Sequence, residues 1–280
     1  MSWIRWLAAA ALAILLSLLS LGAWTWSRSE SYLHSFERPA RFELAIPADE
    51  AARARGDHLV RTRGCRGCHG DDLSGQVMWG YAVAPSLPRL AREVSPANFE
   101  AALRHGIDHT GRAMYDMPSY NFVRLRDADV ADIIAYLRSV ATVSRDLPAA
   151  SLPWRIRWDL ARGANHPIAS ILGKVPELKF GGEETPMARG EYTALTTCNE
   201  CHGLTLNADS PFDDETAPSL RVMIRAYDEA AFTALMRTGK ALGNRELEMM
   251  SGVARGRFAY FTDDEVRDLY AYLRQSSGAD

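Results

Sequence analysis

Cys65-Arg66-Gly67-Cys68-His69 and Cys198-Asn199-Glu200-Cys201-His202 contain all four cysteines of the 280-residue chain. Each has the form C-x-x-C-H, in which two thiols three positions apart can each bond one vinyl group of a haem while the next residue turns an imidazole onto the iron. Cys65, Cys68, Cys198 and Cys201 are therefore expected to attach two haem groups covalently, with His69 and His202 as axial ligands. Two plainer readings fit less well. Cys198 lies 133 residues after Cys65, far outside the spacing of a tetrathiolate zinc module. A redox disulfide needs no histidine directly after its second cysteine, let alone twice.

The elements around the boxes repeat, as duplicated domains do. At the same offset Ala84-Pro85-Ser86-Leu87 falls on the identical Ala217-Pro218-Ser219-Leu220, Phe99 on Phe232, Arg104 and Gly106 on Arg237 and Gly239, and Met117 on Met250. The register then slips by three, and Val130, Ile133, Ile134 and Leu137 match Val266, Leu269, Tyr270 and Leu273. That i, i+3, i+4, i+7 pattern predicts a final helix with one buried face in each unit. Asp127 is expected as the N-cap of the first such helix, and Thr262-Asp263-Asp264-Glu265 reads as a capping box opening the second. Each unit is also expected to begin with a helix, over 51–60 and 188–195, with Gly56 and Gly190 available for close helix contact.

Helix, box, proline loop, short helix, methionine loop, final helix is an order that resembles the class I cytochrome c fold. In duplicated form it is similar to dihaem cytochromes such as the cytochrome c subunits of membrane-bound dehydrogenases. The resemblance implies an all-α chain with two class I cytochrome c-like domains, over 49–145 and 186–280, each holding one covalently bound haem c. It also implies that the carbonyls of Pro85 and Pro218 accept a hydrogen bond from the ring of His69 and His202, the outer-shell contact that orients such a ligand.

Nine methionines compete for the second axial position. The repeat pairs Met78 with Pro211, Met114 with Leu247, Met236 with Leu103 and Met249 with Asp116, so that only Met117 and Met250 pair with each other. Met117-Pro118 is similar to the ligand loop of class I cytochromes c, whereas Ser251 follows Met250, which leaves Met249 as a rival. The alternative role for these methionines is to fill core gaps. A thioether is a soft donor, and Met/His ligation raises the reduction potential. His34, His58, His105, His109 and His166 have no partner in the repeat and are expected at the surface or in linkers; His105 or His109 as a switching ligand is a minor alternative.

Residues 6–26 carry no charge and as a helix would span about 31 Å, enough to cross a bilayer core. Trp3 and Trp6 at one end and Trp24 and Trp26 at the other suit interfacial aromatic belts. Leu21-Gly22-Ala23-Trp24 is a poor cleavage site, so an uncleaved anchor over 1–30 is favoured over a signal peptide. Arginines hardly differ between its ends, but the resemblance to c-type cytochromes implies haem attachment outside the cytoplasm. A single-pass protein of the inner membrane, with its haem domains in the periplasm, is expected. Residues 31–48 read as a tether. Residues 146–185 join the units and hold Trp154, Ile156, Trp158, Ile168, Ile171 and Leu172, apolar enough to pack on the haem domains.

A formal charge of −3 defines no partner surface, and nothing suggests nucleic-acid binding. The expected function is electron transfer, with single electrons passing between a dehydrogenase or quinol-oxidising complex and a terminal acceptor such as an oxidase; no catalytic residues are expected. The competing class is a dihaem oxidoreductase, a peroxidase or a sulfur-compound oxidising enzyme, which would need one open haem site and acid–base groups over it. A haem-based sensor would need a signalling module in addition.

Overall fold

The computed structural model describes residues 2–38, 42–43, 45–181, 184–209 and 217–278; Pro211 and residues 39–41 and 44 of the expected tether lie outside them. Helix α1 (Ser2–Leu33) has 32 residues, about 48 Å at 1.5 Å per residue, well beyond a hydrocarbon core of roughly 30 Å. Its apolar part is long enough to cross a membrane and is not buried against the rest of the protein. Its carboxyl-terminal third differs, because Thr25, Ser29 and Leu33 are fully buried there.

The first domain opens with α2 (Glu50–Thr62), capped by Asp49, whose carboxylate accepts from the Ala52 backbone N–H at 2.8 Å. The first box forms the short helix α3 (Cys65–His69), and a hairpin of β1 (Gln76–Met78) and β2 (Ala82–Ala84) follows. Then come α4 (Leu87–Glu93), α5 (Pro96–His105), a 3-10 turn over Ser119–Asn121, and α6 (Asp127–Ser139). Val130, Ile133, Ile134 and Leu137 are all buried on the inner face of α6, as their spacing requires.

Between the domains lie α7 (Trp154–Ala161) and a 3-10 segment over Ile168–Lys174. The second domain begins with α8 (Pro186–Thr193), which runs through a π-turn over Ala194–Cys198 into α9 (Asn199–His202). It continues with α10 (Leu220–Met223), α11 (Glu229–Thr238), the two-residue strands β3 (Lys240–Ala241) and β4 (Arg245–Glu246), α12 (Glu248–Gly256) and α13 (Asp263–Ser276). Among the described residues the chain is thus mostly helical, with two short antiparallel ribbons.

The same helix crossing organises both domains. A Cβ on Gly56 would stand 2.1 Å from the Asp132 carbonyl oxygen, and one on Gly190 would stand 2.1 Å from that of Asp268. First and last helices therefore touch backbone to backbone, α2 on α6 and α8 on α13. The arginine before each glycine clamps the aspartate opposite, Arg55 Nε on Asp132 at 2.6 Å and Arg189 Nε on Asp268 at 2.7 Å.

The capping box of α13 forms as expected, with Thr262 and Glu265 each bonded to the other's backbone N–H. Asp127 is not an N-cap: Arg126 holds that position and Asp127 is the first helical residue. Its carboxylate instead meets Arg104 at 2.8 Å, as Asp263 meets Arg237 at 2.6 Å. The matched arginines thus tie α5 and α11 to the start of the helix that closes each domain.

The connecting segments are packed. Helix α7 lies on the end of α1, with Arg157 donating to Glu30 at 2.6 Å and stacking 3.6 Å from the Trp26 ring centroid, and with Trp24 edge-on to Trp158. Ile168, Ile171 and Val175 share one buried cluster with Tyr120 of the first domain and Leu204 of the second. Arg38 bonds Asn98 and the carbonyls of Asp108 and His109, and Phe42 and Ile46 pack on the first core, so the stretch after α1 is laid along the first domain.

Candidate functional site

Each box is positioned by the helix before it and the loop after it. His69 Nδ1 donates to the Pro85 carbonyl at 2.8 Å, and His202 Nδ1 donates to the Pro218 carbonyl at 2.8 Å. With Nδ1 committed, Nε2 is the nitrogen left to bind iron. Burial pushes both imidazoles down from the ordinary histidine pKa, against the opposing pull of the carbonyls, and so favours the neutral ring that a metal needs.

The loops owe their shape to a repeated backbone. Gly70 and Gly203 follow the histidines at φ 83° and 88°, a region that side chains disfavour. Leu73 and Leu206, four residues after each histidine, are also left-handed, and both are buried. Each leucine carbonyl then accepts from the N–H of Leu87 or Leu220, two residues beyond the proline. This bond brings the proline carbonyl back over the box.

In the second domain the expected residues converge. Cys198, Cys201, His202, Pro218, Met249 and Met250 all line one largely apolar cavity of about 280 Å³. Thr197, which also lines it, has a buried hydroxyl with no hydrogen-bond partner among the described residues. Two thiols, an imidazole with Nε2 to spare, thioethers and an apolar cradle fit a covalently held haem. Met249 is 74% exposed, whereas Met250 packs on the core. Met223 and Met236 reach the cavity too. In the first domain Cys65 and Met117 pack on the same core cluster.

A serine behind each methionine fixes its loop. Ser119 Oγ donates to the Ala102 carbonyl at 2.9 Å; Ser251 Oγ donates to that of Gly239 at 2.5 Å and accepts from the Leu247 N–H at 2.7 Å. Ser251, the residue that replaces proline after Met250, is fully buried and secures the loop by hydrogen bonds instead. Its place beside the matched methionine was the available sequence signal.

Burial pushes the Cys65 thiol up to about 11 and that of Cys198 to about 12. A thioether carries no ionisable proton, so haem attachment removes the group whose charge burial opposes.

The two boxes also face each other. Arg257, after α12, donates to Glu200 inside the second box at 2.7 Å. Its Cζ lies 2.1 Å from where a Cβ on Gly64, at the head of the first box, would stand. From the first domain, the Tyr120 hydroxyl donates to the Glu200 carbonyl at 3.2 Å, and the Tyr120 carbonyl accepts from Asn199 at 3.4 Å. Tyr192 of α8 is buried in the first domain's core with Arg63 and Arg126 over its ring.

Unmatched His58, His105 and His166 have side-chain partners. His58 meets Glu265 across the domains, Nε2 of His105 is taken by Glu100 at 3.0 Å, and His166 bonds Tyr32. That contact turns His105 away from the role of switching ligand.

The family model for cytochrome c matches residues 53–141 and again 187–277. The chain is 24% identical over 275 residues to the gluconate 2-dehydrogenase cytochrome c subunit of Pantoea cypripedii, covering 83% of this chain and 61% of that one. It is 25% identical to the alcohol dehydrogenase (quinone) cytochrome c subunit of Gluconacetobacter polyoxogenes, covering 81% and 56%, and 26% identical to the fructose dehydrogenase cytochrome subunit of Gluconobacter japonicus, covering 79% and 52%. It spans between about half and three fifths of these relatives' lengths. Two matched regions, each ordered around a C-x-x-C-H helix and closed by the same helix crossing, place this chain in the cytochrome c family, with covalently bound haem c as the cofactor that the family implies.

Proposed function

We propose that this chain is a membrane-anchored dihaem cytochrome c that transfers electrons for a dehydrogenase. Cys65 and Cys68 would hold one haem and Cys198 and Cys201 the other, with His69 and Met117, and His202 and Met250, as the side chains that would bind the irons. The observation that carries the reading is the duplicated histidine contact, in which each ring is fixed by a proline carbonyl with Nε2 left for iron.

Bound haem supplies one-electron redox chemistry. The residues around it keep that chemistry simple. Pro85 and Pro218 hold the histidine rings in orientation, the serine-fixed loops hold the thioethers, and apolar walls such as Leu235 and Leu269 exclude water. Ligands held this firmly would change little between oxidation states and would leave no position for a substrate.

Helix α1 supports a membrane anchor; membership of the cytochrome c family supports haem domains on the periplasmic side of the cytoplasmic membrane. The cytochrome subunits of gluconate, alcohol and fructose dehydrogenases among its relatives support a dehydrogenase as donor; the acceptor in this reading is a terminal one such as an oxidase. Replacing both Cys65 and Cys68 by alanine tests the attachment: covalent haem per chain, measured as the pyridine haemochrome, should fall by half, and retention of the full content would refute the assignment.

A further inference from the structure

Arg257 belongs to the second domain, yet its guanidinium lies in the seam between the two haem boxes. On one side it bonds Glu200, the central residue of the second box, at 2.7 Å. On the other it fills the space over the first box that Gly64 leaves by having no side chain, and its Nη2 lies 3.5 Å from where a Cβ on Gly67 would stand. It also lines the cavity of the second domain.

The seam around it is built from both domains. Tyr120, three residues after Met117, bonds the backbone of Glu200 and the side chain of Asn199. Arg63, two residues before Cys65, lies over the ring of Tyr192 from the second domain. Each box is therefore gripped by residues of the opposite domain. A planar, always charged fork is the side chain suited to lying flat on a glycine backbone while holding a carboxylate. Burial works against its charge, and Glu200 offsets that cost.

From this arrangement we propose that Arg257 is a positioning residue for electron transfer between the two haems, locking the first attachment box against the second through Glu200. The proposal rests on the dihaem reading above. The step it serves moves one electron from the reduced haem to the oxidised one, with no bond made or broken and no proton moved. Its rate depends steeply on separation, so a rigid contact between the two attachment sites acts directly on it.

The test is the interhaem transfer rate in the detergent-purified full-length chain, followed optically after rapid photoreduction of a fraction of the haem, with haem content and both potentials measured on the same samples. Arg257→Gln should slow the step by about tenfold or more, since small misplacements of reacting centres are costly, while two haems per chain are retained. Glu200→Gln, which removes the clamp and keeps the cation, should slow it in the same direction, and Arg257→Lys should restore part of the rate. A wild-type rate in an Arg257→Gln chain with two haems would overturn the proposal. If that variant loses haem, the rate of Glu200→Gln decides in the same way. A wild-type chain holding only one haem would overturn the dihaem reading itself, and the proposal with it.

Discussion

His58 Nε2 lies 2.9 Å from both carboxylate oxygens of Glu265, joining the first helix of the first domain to the last helix of the second. Its counterpart runs the other way, with Tyr192 of α8 bonded to Asp129 of α6. The two domains are thus clasped by a reciprocal pair of helix contacts on either side of the haem boxes.

The clasp predicts acid sensitivity. Burial pushes the Glu265 carboxyl up, but His58, the Thr262 N–H and Arg63 together hold it below the ordinary glutamate value of 4.5. A carboxyl with a lowered folded pKa contributes stability above its unfolded value, and that contribution is lost as pH falls through the folded one. Hydrogen exchange at the domain seam should therefore rise below about pH 4.5, the unfolded reference value. Glu265→Gln retains a capping box but should abolish that step, at a cost of about 1 kcal/mol for a partly buried pair. An acid step unchanged in the variant would assign it to other groups.

The helix crossings predict a contrast among glycines. Gly56→Ala and Gly190→Ala each force a methyl to within 2.1 Å of a carbonyl oxygen, and each should destabilise its domain by about 1–3 kcal/mol in denaturant unfolding. Gly252→Ala, inside α12 with nothing within 4 Å, should be neutral or stabilising by up to about 1 kcal/mol. Equal effects at all three would mean that the helices do not meet backbone to backbone.

Ligand exchange predicts selective shifts in potential. Met117→His and Met250→His should each lower one haem by on the order of 0.1–0.3 V, within the roughly 0.8 V that axial ligands command, and leave the other nearly unchanged. Met249→His, at a side chain 74% exposed, should move neither. A drop in Met249→His and none in Met250→His would exchange the assignments.

The base of the anchor predicts a fixed haem orientation. Arg157 is almost wholly buried between Glu30, Ser29 and the Trp26 ring, while Arg112 holds Glu30 from the first domain. Arg157→Ala leaves that second partner, so the cost should be near 2 kcal/mol rather than the full penalty of an orphaned charge. Electron spin resonance of oriented membranes should show sharply oriented haems in the wild type and a broader distribution in the variant. Equal sharpness in both would mean that α1 and α7 do not set the tilt.

What the sequence revealed was the part that chemistry or periodicity forces into a fixed spacing. Thioether attachment requires C-x-x-C-H, and a buried face requires the spacing of Val130 to Leu137 and of Val266 to Leu273. Gly56 and Gly190 were legible because a backbone contact needs glycine in both copies. The seam was not legible, since Glu200, Arg63 and Tyr120 break the repeat, Arg257 falls where its register slips, and their contacts link residues distant in the chain. Helix α1 hid its buried end because the charges of Glu30, Arg112 and Arg157, far apart in sequence, meet only in the folded chain. Asp127 misled because Arg104 competes for the carboxylate that would otherwise cap α6.

The central claim is a pair of closed, six-coordinate irons. An optical redox titration of the detergent-purified chain, with haem content determined and carbon monoxide added at the reduced end, tests it most directly. Two low-spin haems per chain, both high in potential and inert to carbon monoxide, are the predicted result. A single haem, or one that is low in potential or binds carbon monoxide, would contradict it and point to an open site of the kind a dihaem oxidoreductase needs.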